Sequence, residues 1–314
     1  MSAARISQEE VERYLQERRR HGFQLQGQDS TLRSFVRFAQ EQGATHLTLD
    51  LARNWAQHTA SARPLTWARR IEVLRGFARY LVKIDPETVV PPRSLFGPAH
   101  RRLVPHIFTK TELTQLLQAA GTLLPKHGLR AATCRTLFGL LAATGLRIGE
   151  ALCLERDDVD LTAEVLHIRK AKGNRSRWVP VHNTTAEQLR HYAQQRDQVV
   201  FSPITRAFFL RADGHAPRQA AVLYTLQAIC RQLGWRPRGQ HPHHRLHDLR
   251  HTCIVHNIIR FYEEGRSIDQ AIAGLSIYVG HAKVTDTYWY VTGIPELMAI
   301  AANRFHAFGR EGGA

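Results

Sequence analysis

The feature that most constrains the fold is a cluster of prolines in the first third of the chain. Proline lacks a backbone N–H, and it restricts the residue before it to extended conformations. Because a chain of 314 residues also exceeds the usual size of one domain, we predict two domains, residues 1–85 and 106–314. An extended linker over residues 86–105 is expected to join them. The prolines concerned are Pro86, Pro91, Pro92, Pro98 and Pro105.

Residues 1–85 have the sequence pattern of helices throughout. Ser7 and Glu10 have the spacing of a capping box, which predicts the start of the first helix. In the fourth and clearest helix, apolar residues recur at every third or fourth position, namely Trp67, Ile71, Leu74, Ala78 and Leu81. The same helix carries five basic residues, Arg69, Arg70, Arg75, Arg79 and Lys83. An ordinary solvated face is one explanation, but so many cations suit the backbone of a DNA duplex better.

The second domain is also mostly helical. The stretch AATCRTLFGLLAATG is apolar on nearly every side, which predicts a buried helix that ends at Gly145. Between residues 164 and 181, apolar and polar residues alternate around a Gly-Asn pair, which predicts two strands joined by a turn. The predicted fold class is therefore mainly α, with four helices in the first domain and a small antiparallel β-sheet in the mostly helical second domain.

The charge of the chain indicates a polyanionic partner. Lys and Arg outnumber Asp and Glu by 43 to 27, which gives a net charge of +16 and a pI near 10.4. Nucleic acid is favoured over a membrane, because no apolar run is long enough to span one. The first residues lack the pattern of a signal peptide, and the four cysteines are scattered, so we expect a cytoplasmic protein.

Three stretches of the second domain carry basic side chains suited to one reaction. TGLRIGEAL places Arg147 just after a helix-ending glycine, and KAKGNRSR places Lys172 at the tip of the predicted hairpin, with Lys170 as a competing candidate. HDLRH places His247 and Arg250 three positions apart, on one face of a helix. Guanidinium groups bind phosphate oxygens through paired hydrogen bonds and can supply the positive charge that other nucleases take from metal ions. The combination predicts a site built around a phosphodiester.

A fourth stretch, GHAKVTDTYWYVTG, supplies His281 and two tyrosines, Tyr288 and Tyr290. A tyrosine with a pKa of about 10 is a weak nucleophile at neutral pH, so it needs a base and nearby cations. A histidine can act as the base, and a lysine can protonate the leaving oxygen. In a helix, residues two positions apart face opposite ways, so only one hydroxyl can reach the phosphate. The residues alone leave open which tyrosine that is, and an aromatic core segment is the other explanation.

A run of histidines, HPHHRLHDLRH, raises the alternative of a metal site. His247 and His251 are four positions apart, and histidines with this spacing on a helix can bind zinc. Neither an H-E-x-x-H motif nor a cysteine pair accompanies them, so a basic loop that faces phosphate is the preferred explanation. We expect no metal and no cofactor, and a packing role for His251.

The motifs ATGLRIGEAL, AKGNRSRWVPV, HDLRHT, VGH and TYWY occur in an order and spacing that resemble the tyrosine recombinases, the phage-integrase-like family. The resemblance covers roughly residues 106–300. The first domain resembles the core-binding domain of that family by its layout only. Val279 stands before the Gly-His pair, where leucine is more usual.

The resemblance implies a role for each candidate site residue. Arg147 and Arg250 would clamp the scissile phosphate, and Lys172 would be the general acid. His247 and His281 would position the phosphate and assist proton transfer. The nucleophile would be Tyr290, nine residues after His281. Glu150, one turn after Arg147, would support the site.

The resemblance also implies an activity and its partners. The two domains would form a C-shaped clamp on double-stranded DNA, and a tetramer on two DNA sites would cleave and rejoin strands through a 3′-phosphotyrosyl intermediate. Neither ATP nor metal would be needed, because the intermediate keeps the bond energy. Within the family the chain resembles the integrases of mobile elements, and integration, excision, resolution and transposition all stay open as its task. The alternatives are a type IB topoisomerase and a DNA-binding protein without catalytic activity.

The segment after the tyrosines predicts how copies assemble. It carries an apolar stripe at helical spacing, made of Ile294, Leu297, Met298, Ala301 and Phe305. The stripe could pack on its own domain. The resemblance implies instead that it docks onto a neighbouring copy.

Overall fold

The computed structural model describes residues 6–23, 25, 27–60, 63–100, 102–125, 128–169, 176–293, 297, 298 and 302. The chain divides into two compact units, residues 1–102 and 103–314. None of the helices in the described ranges combines the length and the hydropathy that a membrane span requires.

Within the described residues, the first unit contains four helices, as predicted: α1 (Gln8–Arg20), α2 (Gln28–Glu41), α3 (Leu49–Gln57) and α4 (Pro64–Leu81). The Ser7 side chain accepts a hydrogen bond from the Glu10 N–H at 3.2 Å, which caps the start of α1. Phe35 and Trp55 are fully buried, with their rings edge to face at 5.2 Å. The apolar faces of the four helices therefore enclose one core.

The proline-rich stretch packs mostly on this first unit. Val90, Leu95 and Phe96 lie against its core, and the Phe96 ring is 5.4 Å from the Trp67 ring. The Val89 N–H donates to the Leu47 carbonyl at 2.7 Å. Residues 86–100 thus contribute apolar contacts to the first unit, which is why the division of the chain lies at residue 102.

The five basic residues predicted for the fourth helix do not all share the exposed face expected from the sequence, and Lys83 lies two residues after the end of α4. Arg70 donates to the Trp55 carbonyl at 2.9 Å, and its guanidinium lies over the Trp55 ring at 4.2 Å. Arg75 is only 8% exposed. Arg69, Arg79 and Lys83 are exposed. Two of the five cations therefore support the fold, and three face solvent.

The second unit is mostly helical, with a small sheet, as predicted. Its helices among the described residues are α5 (Lys110–Gly121), α6 (Leu129–Thr144), α7 (Ile148–Leu152), α8 (Asn183–Val199), α9 (Gln219–Gln232), α10 (Leu246–Glu263), α11 (Ile268–Val279) and α12 (Thr285–Gly293). The strands β1 (Val159–Asp160), β2 (Val165–Ile168) and β3 (Arg177–Pro180) pair antiparallel in the order β1-β2-β3. Helix α6 is buried on most sides and ends at Gly145, which adopts a left-handed φ of 64°.

Candidate active site

Two of the predicted arginines are oriented by backbone carbonyl groups at the ends of α6 and α11. Arg250, on α10, is 1% exposed and donates to the carbonyls of Gly145 at 2.5 Å and Val279 at 2.8 Å. Arg147 immediately precedes α7 and donates to the Gly280 carbonyl at 2.9 Å. Carbonyls at helix ends lack partners within their helix, so they are free to accept these bonds. The two helix ends thereby bring Arg147 and Arg250 to one place.

Glu150 joins Arg147 to a third arginine, Arg177. Its carboxylate accepts from the Arg147 guanidinium at 2.8 Å and from the Arg177 guanidinium at 2.8 and 3.2 Å. Burial by itself would raise the pKa of Glu150, but the hydrogen bonds and charges of Arg177 and Arg147 outweigh it and hold the pKa below its usual value. The carboxylate therefore stays ionised and fixes both guanidinium groups. This agrees with the supporting position expected for Glu150.

Arg177 also ties the β-sheet to the loop that carries His281. Its guanidinium donates to the carbonyls of Tyr278 at 3.3 Å and Val279 at 3.4 Å. A Cβ atom at Gly280 would lie 2.7 Å from the Arg177 guanidinium carbon, and Gly280 has a φ of 70°. Both the space and the backbone conformation therefore require glycine before His281.

The two predicted histidines lie at this cluster. Although His247 is partly exposed, the protein atoms around it and the charge of Arg250 lower its pKa to about 3, so the free protein holds it neutral at neutral pH. The His281 Nδ1 lies 2.7 Å from the Thr287 hydroxyl, and its ring is parallel to the Tyr290 ring at 6.5 Å. His247, at the start of α10, and His281, in the Gly-His loop, thus both face the aromatic segment that carries Tyr290.

The hydroxyls of the two tyrosines have different partners. Tyr290 is 3% exposed, and its hydroxyl lies 2.5 Å from Nδ1 of His251. The Tyr288 hydroxyl donates to the Asp269 carboxylate at 2.6 Å, and this hydrogen bond raises the pKa of Tyr288. Tyr290 therefore faces the histidines of α10, whereas Tyr288 is bound to an acid on α11. The sequence predicted only a packing role for His251, whereas the structure shows that it also makes this polar contact with Tyr290.

Comparison with known proteins places the chain in a family. Residues 106–293 match the model of the phage integrase family. This chain belongs to the phage integrase family. The match includes every described residue of the arginine, histidine and tyrosine cluster, so the family region and the candidate site coincide.

Individual relatives of this integrase-family protein are similar over most of its length. It is 37% identical over 298 residues to the putative integrase/recombinase y4rB of Sinorhizobium fredii, which covers 94% of this chain and 95% of that protein. It is 29% identical over 223 residues to the tyrosine recombinase XerC of Azotobacter vinelandii, covering 71% of this chain and 68% of XerC. The Tn1549 transposon integrase, solved in complex with transposon right end DNA, matches with a TM-score of 0.66 at 15% identity, over 95% of this chain and 99% of that one. This last likeness concerns the fold.

Lys172 and its competitor Lys170 both lie outside the described residues of this integrase-family protein. The described residues of the sheet that lie nearest to these lysines in sequence are Ile168, at the end of β2, and its partner Arg177, at the start of β3. Because Arg177 contacts Glu150 and the Gly-His loop, this end of the hairpin is anchored at the cluster.

The run of histidines is divided between two places. His244 lies against His106, with ring centroids 4.5 Å apart, and both side chains are buried. His247 and His251 lie against each other at 4.5 Å near Tyr290. In the described part of the chain, no three His, Cys, Asp or Glu side chains are arranged to hold a metal ion.

Two contacts of this cluster could not be predicted from the sequence. Arg177 is the last residue of the basic stretch KAKGNRSR, and no local pattern connects it to Glu150, which is 27 residues away. His251 has the four-residue spacing that places it on the same face as His247, and this spacing was the available signal. Its contact with Tyr290 spans 39 residues of sequence.

Proposed function

We propose that this protein cleaves and rejoins duplex DNA at specific sites through a covalent 3′-phosphotyrosyl intermediate. The observation that carries the proposal is the convergence of Arg147, Arg250, His247, His281 and Tyr290 around the ends of α6 and α11. Tyrosine and arginine side chains in this arrangement suit attack on a phosphodiester, whose charge the arginines neutralise.

Each proposed step follows from the side chains present. Arg147 and Arg250 bind the non-bridging phosphate oxygens, since a guanidinium has five N–H groups and each of these donates two hydrogen bonds to described parts of the chain. The Tyr290 hydroxyl gives its proton to His247 or His281 as its oxygen forms a bond to phosphorus, and the bond from phosphorus to the 5′-oxygen breaks. That oxygen receives a proton from Lys172 and leaves as a hydroxyl. A 5′-hydroxyl reverses the steps and releases the tyrosine.

The first unit is proposed to be the core-binding domain. Arg69 and Arg79 on α4, and Lys83 just after it, are exposed to solvent, where they would contact the phosphate backbone. The relative y4rB is named a putative integrase/recombinase, and Tn1549 integrase is a transposon protein. Their names support a role in the movement of a genetic element, and a DNA substrate suits the cytoplasmic location expected from the sequence.

The covalent intermediate provides the test of this function. We expect the protein to form a covalent adduct with nicked duplex DNA taken from the ends of the element that carries its gene. Because arginines supply the positive charge, the adduct should form equally well in excess EDTA. Loss of the adduct in EDTA and recovery with magnesium or zinc would contradict the proposal.

The products distinguish the two other functions. Plasmids that each carry one site should yield recombinant molecules. Relaxation of supercoils without recombinants would favour a topoisomerase, and binding without any adduct would favour a non-catalytic DNA-binding protein.

We further propose a tetramer on two DNA sites, held together by the C-terminal segment. Leu297, part of the apolar stripe, is fully buried against its own domain, whereas Met298 is 52% exposed. Ile294, Ala301 and Phe305 lie outside the described residues. The stripe therefore begins on its own chain, and the segment beyond Leu297 would reach a second copy.

The receiving surface is proposed to be a groove of about 750 Å³ between α6, α10 and α11. Its lining includes the apolar side chains of Ala143, Phe261, Ala271 and Leu275. A helix with an apolar stripe buries that stripe in a groove of this kind. The proposed occupant is the C-terminal segment of a second copy of this chain.

Filling the groove tests this assembly. Gly274 lies in the groove lining on α11, and a Cβ atom there would meet no neighbour within 4 Å. Gly274→Phe should therefore fold and bind a single DNA site, but lose about tenfold in cooperative loading of a second copy. Gly274→Ala is the matched control and should load normally. Gel-shift titration on one-site and two-site DNA makes the comparison. Normal cooperativity of Gly274→Phe would exclude this groove as the docking surface.

A further inference from the structure

We propose that His251 is the positioning residue for the nucleophile: its Nδ1 atom holds the Tyr290 hydroxyl in the orientation for attack. The inference rests on the proposed function, and it adds a residue to the phosphate-binding and leaving-group residues described above. The observation behind it is the 2.5 Å separation between His251 Nδ1 and the Tyr290 oxygen.

The surroundings of His251 determine its protonation state. Burial has the largest effect, and the neighbouring basic groups His247, Arg245, Arg250 and His241 add to it, so that the pKa of His251 is lowered to about 2. The imidazole is therefore neutral. In the proposed arrangement its proton is on Nε2, and Nδ1 accepts the hydrogen bond that the Tyr290 hydroxyl donates. A hydroxyl that donates in this way keeps its oxygen lone pairs available to face a phosphorus atom.

The same surroundings argue against proton removal by His251. An imidazolium there would be buried among basic groups, which is why its protonated form is disfavoured. Its contribution is consequently geometric. A reacting oxygen that is misplaced by about 1 Å can cost about 100-fold in rate.

The position of His251 on α10 explains how it can set this geometry. It follows Arg250 directly in the sequence, and Arg250 is held by the carbonyls of Gly145 and Val279. Helix α10 therefore fixes the position of His251 Nδ1 relative to the phosphate-binding guanidinium of Arg250. Tyr290, on α12, belongs to the same buried apolar cluster as Ile254 and Val255 of α10, which restrains its ring. Helix α10 thus orients both reaction partners.

Two amide variants separate positioning from simple packing. In His251→Asn the amide oxygen can occupy the place of Nδ1, whereas in His251→Gln it lies near the place of Nε2. We expect Asn to cleave within about tenfold of the wild type, and Gln and His251→Leu to lose about 100-fold. Single-turnover adduct formation measures these rates, and DNA binding and the thermal midpoint verify that each variant folds.

A modified substrate shows whether His251 acts on the attacking oxygen or on the leaving oxygen. In DNA with sulfur in place of the bridging 5′-oxygen, the leaving thiolate needs no proton, because thiols are far more acidic than alcohols. This substrate should rescue Lys172→Ala but not His251→Leu or His251→Gln.

The outcomes of these measurements are distinct. The positioning role would be overturned if His251→Leu and His251→Gln formed the adduct at the wild-type rate. It would also be overturned if His251→Asn lost as much of that rate as His251→Leu. In both cases the proposed function stands. Rescue of His251→Leu by the sulfur substrate would also overturn the positioning role, since His251 would then act on the leaving group. If the wild-type protein forms no adduct on either substrate, the proposed function itself fails, and this role with it.

Discussion

Tyr290→Phe is expected to form no covalent adduct with DNA while binding the same DNA almost as tightly as the wild-type protein. The substitution removes the attacking oxygen, and the hydroxyl of the nearby Tyr288 is held elsewhere. The Tyr288 hydroxyl is bound to Asp269 on α11, whereas the Tyr290 hydroxyl lies against His251. The measurement is denaturing electrophoresis of protein incubated with nicked DNA, with gel-shift titration for binding.

Tyr288→Phe is the matched control for this experiment. It removes one hydroxyl from the same helix, α12, and breaks an exposed hydrogen bond to Asp269, whose loss has little effect on stability. Adduct formation should therefore persist. An adduct that survives Tyr290→Phe but disappears in Tyr288→Phe would show that the assignment of the nucleophile is wrong.

The second large effect is expected at Arg250. Arg250→Lys keeps a positive charge but cannot donate in a planar fork to two phosphate oxygens. It also cannot satisfy the carbonyls of Gly145 and Val279 together as the guanidinium does. We expect the rate of adduct formation to fall by about 100-fold to 1,000-fold, the range for loss of a donor that stabilises developing charge.

The control for Arg250→Lys is Arg190→Lys on α8. Arg190 also donates to a backbone carbonyl, that of Leu161 at 2.8 Å, but it is exposed and outside the cluster. Its cleavage rate should remain that of the wild type. Thermal unfolding of both variants separates lost stability from lost catalysis. A folded Arg250→Lys protein that cleaves at the wild-type rate would remove Arg250 from the phosphate site.

Local patterns were sufficient to predict most of the helices and the hairpin of β2 and β3, but not β1 or α7. The cap at Ser7 and the alternation around the Gly-Asn pair each depend on residues a few positions apart, so they can be recognised in a single sequence. Of the predicted capping box only the Ser7 half forms, because the Glu10 carboxylate accepts from Arg13 and Tyr80 instead. The resemblance to a family added long-range information. It is the reason that Arg147, Arg250 and Tyr290, which are far apart in sequence, could be assigned to one site.

Contacts that depend on tertiary packing were not predictable in this way. Arg70 looks like a solvated cation in sequence, yet the ring and carbonyl of Trp55 hold it. The proline-rich stretch has the composition of a linker, but its apolar side chains find a core to pack against. His251 was assigned to packing because nothing in its neighbourhood along the chain indicates a tyrosine 39 residues later. In each case the deciding partner comes from another element of the fold.

The most direct test of the central claim is to identify the atom that links protein to DNA. The adduct formed on nicked DNA would be trapped, digested with protease and nuclease, and the modified peptide sequenced by mass spectrometry. We predict a nucleotide attached through its 3′-phosphate to Tyr290, in the peptide that contains TDTYWYV, and a free 5′-hydroxyl on the released strand. A nucleotide on Tyr288 or on any other residue, or a linkage through a 5′-phosphate, would contradict the proposed mechanism.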